Sequence, residues 1–119
     1  MDTTILIYAT HGTYGRDDDS YGTMLMANAA LAKGVPTTLL LVDDGVAMAV
    51  AGQDTSRLGL PNNLDEITDF LDLGGRLCIL RGSLEERGIR KDELVEGAEV
   101  VDTGDVVDLI EGHRITLTF

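Results

Sequence analysis

Two tripeptides contain the residue types that could bind a small anion. Each has a glycine, whose backbone amide is easily approached, beside side chains that donate hydrogen bonds. Together they form the candidate binding set: His11, Gly12, Thr13, Arg81, Gly82 and Ser83. The first tripeptide lacks the glycine pattern of dinucleotide-binding loops and the Lys-Ser/Thr ending of phosphate-binding loops. The alternative is an ordinary turn after Ala9, with Ser83 capping a helix and Arg81 paired with a surface carboxylate.

Sulfur chemistry is the second chemistry to consider, because the chain has one thiol, on Cys78. A reactive cysteine needs an exposed thiolate near positive charge or a helix N-terminus. Strand alternation places Cys78 on the same face as Leu80, one pleat or about 6.5 Å further from the strand's carboxyl end. We therefore expect Cys78 to be a buried and inert core residue, with a reactive thiol as the alternative. No catalytic residue is assigned.

Aspartates cluster at 17–19 and again at 43–44, where they could hold a divalent cation if the two loops met. A phosphorylatable receiver-type site would also need an aspartate at the end of the third strand, where the chain has Leu80 and Arg81. Helix capping and a solvated acidic surface are the preferred interpretation. We expect neither a metal ion nor an organic cofactor.

Alternating strands and helices must position these residues. Short apolar runs predict five strands: Thr4–Ala9, Thr37–Val42, Arg76–Leu80, Glu99–Asp102 and Arg114–Phe119. Helical spacing and cap residues predict the helices Tyr21–Lys33, Val46–Ala51, Leu64–Leu73, a short one ending at Gly88, and Asp105–Glu111. The segment Lys91–Glu96 is predicted to be another small helix or a turn. The segment Gly52–Asn63 is rich in Gly, Pro and Asn and is predicted to be a surface loop.

This alternation is typical of a parallel sheet covered by helices on both faces. Such sheets bind ligands at the carboxyl ends of their strands. We therefore expect three loops to form the functional edge: His11–Arg16, Asp43–Gly45 and Arg81–Ser83.

Length and composition restrict the class of protein further. The 119 residues suffice for one domain spanning 1–119, and 44% apolar with 25% charged residues is typical of globular proteins. A net charge of −12 repels nucleic acid and anionic lipid, so neither is an expected partner. One cysteine, no long apolar segment and no basic leader predict a cytoplasmic protein.

The order of several short motifs resembles the DsrE/DsrF-like family, and within it the DsrF/TusC-type subunits of sulfur-relay complexes. The resemblance covers nearly the whole chain, and the segment Ser83–Ile89, which reads Ser-Leu-Glu-Glu-Arg-Gly-Ile, is its most specific part. The other matching pieces are short: His11-Gly12-Thr13, Asp44-Gly45-Val46, Gly52-Gln53 and the terminal strand ending in Phe119.

The resemblance implies a three-layer α/β/α domain with a five-stranded, mainly parallel sheet, assembled into trimers or hexamers. It also implies that catalytic relatives carry a persulfide on a cysteine at the strand end before the Ser83–Ile89 helix. Leu80 occupies that position here, and a leucine cannot carry sulfane sulfur.

Three functional hypotheses follow. The first is a non-catalytic protein of sulfur relay or sulfur metabolism, forming a homo-oligomer or a hetero-oligomer with DsrE-like relatives and binding a partner or a small anion at the candidate set. The second is a sulfurtransferase that carries a persulfide on Cys78, assisted by His11 or Arg81. The third is an acidic signalling module of receiver type.

Overall fold

The computed structural model describes residues 3–12, 19–53 and 63–119, which form a five-stranded sheet and its covering helices. The strands are β1 (Ile5–Ala9), β2 (Thr37–Leu41), β3 (Arg76–Leu80), β4 (Ala98–Val101) and β5 (Ile115–Thr118). The α-helices are α1 (Asp19–Ala32), α2 (Leu64–Asp72), α3 (Arg81–Glu86) and α4 (Thr103–Gly112). Within the described part of the chain, 3-10 helices span Asp43–Ala49 and Lys91–Glu93.

All described strand pairs are parallel, and the strand order across the sheet is β4-β3-β2-β1-β5. The chain therefore builds the sheet outward from β1 to β4 and then crosses back through α4 to place β5 on the other side of β1. Parallel pairing brings the carboxyl ends of all five strands to one edge.

Alternating side chains of the sheet enter two separate cores. Ile7, Leu39 and Ile79 pack with buried residues of α1, α2 and α3 on one face. Leu40 and Cys78 pack beneath α4 on the opposite face, in a cluster that also contains Leu6, Val42, Val101 and Leu109. The predicted three-layer α/β/α fold with a parallel sheet is thereby confirmed, and the face beneath α4 has the smaller core.

Element boundaries differ little from the sequence predictions, with two changes of type. The predicted small helix or turn Lys91–Glu96 is a 3-10 helix over Lys91–Glu93. The predicted helix Val46–Ala51 is a 3-10 helix that begins earlier, directly after β2, at Asp43. Asp43 has a φ of 50°, a left-handed conformation that aspartate tolerates better than most residues. The predicted loop Gly52–Asn63 lies mostly outside the described residues.

Candidate functional site

The turn after β1 contacts the turn after β2 through two glycines. A Cβ atom on Gly12 would lie 2.1 Å from the carbonyl oxygen of Asp44, and one on Gly45 would lie 2.3 Å from the carbonyl oxygen of Ala9. Only glycine permits backbones to approach so closely. Gly12 is therefore a packing residue at this edge, and His11 beside it is half-buried. Thr13 lies outside the described residues.

Ser83 connects α3 to the same corner. Its side chain is 3% exposed, and its Oγ accepts a hydrogen bond from the backbone N–H of Asp43 over 2.9 Å. The alternative in which Ser83 caps the helix is wrong, because α3 begins at Arg81 directly after β3 and Leu80 is its N-cap residue. The hydroxyl thus joins the end of β2 to the first turn of α3.

Arg87 reinforces this corner, and the sequence reasoning did not assign it a role. Its Nε and Nη2 donate to Asp44 Oδ1 over 3.1 and 3.0 Å, and its Nη1 donates to the carbonyl oxygen of Ser83 over 3.2 Å. Arg87 lies four residues after Ser83, one helical turn away, which is the spacing that could have indicated the contact.

The side chain of Arg81 points toward β4, away from the turn after β2 that Ser83 contacts. Its Nε donates to Asp102 Oδ1 over 2.8 Å, at the end of β4, and its side chain is 52% exposed. Gly82 is exposed, with open space where a Cβ would be. The candidate binding set is therefore divided: Gly12 and Ser83 each contact the turn after β2, whereas Arg81 belongs to the corner formed with β4.

Cys78 is completely buried. It lies on the face of the sheet covered by α4, beside Leu40 of β2 and Glu99 of β4. Burial raises the pKa of its thiol to about 11, although the guanidinium of Arg76 opposes that shift. The expectation that Cys78 is a buried core residue is confirmed. Leu80, which ends β3, is half-buried on the same face.

The acidic side chains do not converge on a metal site within the described residues, since no group of three or more His, Cys, Asp or Glu side chains is close enough there to hold an ion. Asp44 is instead paired with Arg87. Asp17 and Asp18 lie outside the described residues. None of the helices in 3–12, 19–53 and 63–119 is long and apolar enough to span a membrane.

Comparison with known proteins adds three findings. The uncharacterized protein MJ0989 of Methanocaldococcus jannaschii is 26% identical over 119 residues, the full length of both chains. The intracellular sulfur oxidation protein DsrF of Allochromatium vinosum is 34% identical over 84 residues, which are 66% of this chain and 62% of that protein. The crystal structure of the ychN protein from E. coli superposes with a TM-score of 0.87 at 19% identity, covering 98% of this chain and 99% of that one.

The family model of the DsrE/DsrF-like family matches residues 4–119, nearly the whole chain. The strand order, the crossover through α4 and the similarity to the ychN fold agree with this match. The chain belongs to the DsrE/DsrF-like family.

Proposed function

We propose that this chain is a non-catalytic DsrE/DsrF-like subunit of sulfur relay or sulfur metabolism that works as a homo-oligomer, a trimer or hexamer, or together with DsrE-like relatives. The observation that carries the proposal is the pair of residues at the end of β3: a hydrocarbon, Leu80, at the terminal position and a fully buried thiol, Cys78, one pleat before it. The similarity to the DsrF protein of A. vinosum supports the connection with sulfur.

A persulfide carrier must present a thiolate, because the thiolate and not the thiol attacks the sulfur donor. With a pKa of about 11, the Cys78 thiol stays protonated at pH 7. That thiolate would also be enclosed by Leu40, Val101 and Leu109. A donor molecule cannot reach it without opening the contact between α4 and the sheet.

Leu80 is the position at which a thiol would be useful. It ends β3 immediately before α3 and is only half-buried, so a side chain there reaches the carboxyl edge of the sheet. The non-catalytic character of the chain thus depends on one residue type at one position, and this makes the proposal easy to test.

The test is sulfur loading followed by intact-protein mass spectrometry. The folded protein is incubated with polysulfide, and we expect no gain of one sulfur atom on the wild type. The matched variant is Cys78→Ala/Leu80→Cys, whose only thiol is at the end of β3, and we expect it to gain a sulfur that a reductant removes. A reducible sulfur adduct on Cys78 of the folded wild type would instead establish the sulfurtransferase hypothesis and refute ours.

Anion binding at His11, Gly12, Thr13, Arg81, Gly82 and Ser83 stays a prediction. Among the described residues of this set, Gly12 and Ser83 each contact the turn after β2, where Ser83 Oγ already accepts a hydrogen bond from the Asp43 amide. The guanidinium of Arg81 is at the neighbouring corner. If an anion binds this edge, its position along the edge is therefore the quantity to measure, and the binding experiment described below measures it.

A further inference from the structure

A small cavity opens beside β4, where α3 and the 3-10 helix Lys91–Glu93 cover the sheet. Its volume is about 150 Å³. Its lining combines two cationic, one anionic and three aliphatic side chains: Arg81, Lys91, Glu85, Leu84, Ile89 and Val100. Arg81 is the residue that this lining shares with the candidate binding set.

Most of the cations near the cavity are already paired, on a chain whose net charge is −12. Arg87 is paired with Asp44, and Arg90 is paired with Asp92 and Glu93. The charged groups left for a ligand are therefore those of the lining itself, the cations Arg81 and Lys91 and the carboxylate of Glu85.

The two cations have unused hydrogen-bond donors. Arg81 donates to Asp102 through Nε alone, so among the described contacts its Nη1 and Nη2 have no acceptor. Lys91 forms no ion pair with any side chain in the described ranges. Asp102 holds Arg81 by one edge of the guanidinium, which leaves the other edge available for a planar acid group.

The rest of the lining is hydrocarbon. Leu84 is 3% exposed and belongs to the main core, and Ile89 and Val100 are half-buried beside it. An inorganic anion would leave these apolar surfaces exposed to water, whereas a ligand with a short branched hydrocarbon tail would cover them. A cavity of about 150 Å³ is smaller than the sites that hold drug-sized molecules, so it suits a small ligand.

We propose that this cavity binds a small free aliphatic carboxylate, whose carboxylate lies between Arg81 and Lys91 and whose branched tail contacts Leu84, Ile89 and Val100. Glu85, which also lines the cavity, opposes binding of an anion through charge repulsion. Binding at this site does not depend on sulfur chemistry, so its test is independent of the test of the proposed function.

The experiment is a titration of the full chain with isobutyrate, in which backbone amide shifts in ¹H–¹⁵N NMR spectra report binding. We expect saturable shifts at Glu85, Ile89, Lys91 and Val100. Isobutyramide, which has the same shape without the charge, is the ligand control and should not bind. Sulfate tests recognition of charge alone, and N-acetylvaline tests whether the carboxylate belongs to a peptide C-terminus instead of a free acid.

Three variants with matched charge changes identify the residues. Lys91→Gln should lower the affinity for isobutyrate about fivefold, which is the effect of losing one exposed charge contact. Glu85→Gln should raise the affinity by a similar factor. Lys33→Gln alters the chain's only other lysine, which lies after α1 and does not line the cavity, and should leave the affinity unchanged. Opposite signs at 91 and 85 are not expected from a merely structural role.

Several outcomes would overturn the proposal. If isobutyramide or sulfate binds as tightly as isobutyrate, the site does not recognise the carboxylate and the hydrocarbon tail in combination. Equal weakening by Lys33→Gln would indicate nonspecific attraction of an anion. If N-acetylvaline binds and isobutyrate does not, the site would be one for peptide C-termini. Shifts confined to Gly12 and Ser83 would place the anion at the turn after β2 instead.

Discussion

Gly12 shows how the absence of one methyl group holds the turns after β1 and β2 together. A Cβ at this position would lie 2.1 Å from the Asp44 carbonyl oxygen, so one of the two backbones would have to move. We expect Gly12→Ala to lower the free energy of unfolding by about 1 to 3 kcal/mol. The control is Gly22→Ala within α1, where a Cβ would meet nothing within 4 Å. Because alanine favours a helix more than glycine does, this substitution should raise the free energy of unfolding by about 0.5 to 1 kcal/mol. Urea unfolding measures both, and shifts of equal sign would contradict the argument.

Cys78 predicts a pH dependence at the same scale. Its folded-state pKa of about 11 lies above the ordinary value of 9.0, so the folded protein retains the proton that the unfolded chain releases first. The resulting contribution to stability is complete below pH 9 and is lost as the pH rises to 11, up to about 3 kcal/mol. The measurement is the difference in unfolding free energy between wild type and Cys78→Ala, in which the contributions of all other groups cancel. A difference that stays constant between pH 8 and 11 would show that the thiol is not protected.

At the scale of elements, Ser83 and Arg87 together fasten α3 to the end of β2. Removing the Ser83 hydroxyl deprives the Asp43 amide of its acceptor, and we expect Ser83→Ala to lower the free energy of unfolding by about 1 kcal/mol. Thr103→Ala removes an exposed hydroxyl from the first residue of α4 and should change stability by less than about 0.5 kcal/mol. Equal effects of the two substitutions would mean that the bond to Asp43 contributes nothing.

The same elements show what local sequence can and cannot predict. Apolar runs and helix signals depend on neighbouring residues, so β3 was predicted at its observed bounds and the other strands within one or two residues. The direction of Arg81 depends on β4 lying beside β3, a contact made by residues about twenty positions later. Ser83 likewise acts on a turn forty residues earlier. The candidate set therefore contained residues of two neighbouring corners, and it omitted Arg87 because its partner Asp44 is distant in sequence.

At the scale of the whole molecule, charge and exposed apolar surface have opposing effects on self-association. Tyr21, Leu25 and Met26 of α1 are each more than two fifths exposed, as are Val107 and Ile110 of α4. Large exposed apolar side chains on a small domain favour assembly, which would remove them from water. The net charge of −12 on every copy opposes assembly by long-range repulsion.

Salt separates these two effects, because it screens repulsion between like-charged copies and leaves apolar contacts intact. We expect the proposed homo-oligomer to become more populated as the salt concentration rises from about 0.02 M to about 0.5 M, where the Debye length falls from roughly 20 Å to below 5 Å. Light scattering coupled to size exclusion gives the mass at each salt concentration. Potassium glutamate in place of the chloride salt controls for specific anion effects. An oligomer that dissociates with salt would be held by ion pairs between copies instead, and a monomer at every salt and protein concentration would contradict self-assembly of this chain and leave only assembly with different subunits.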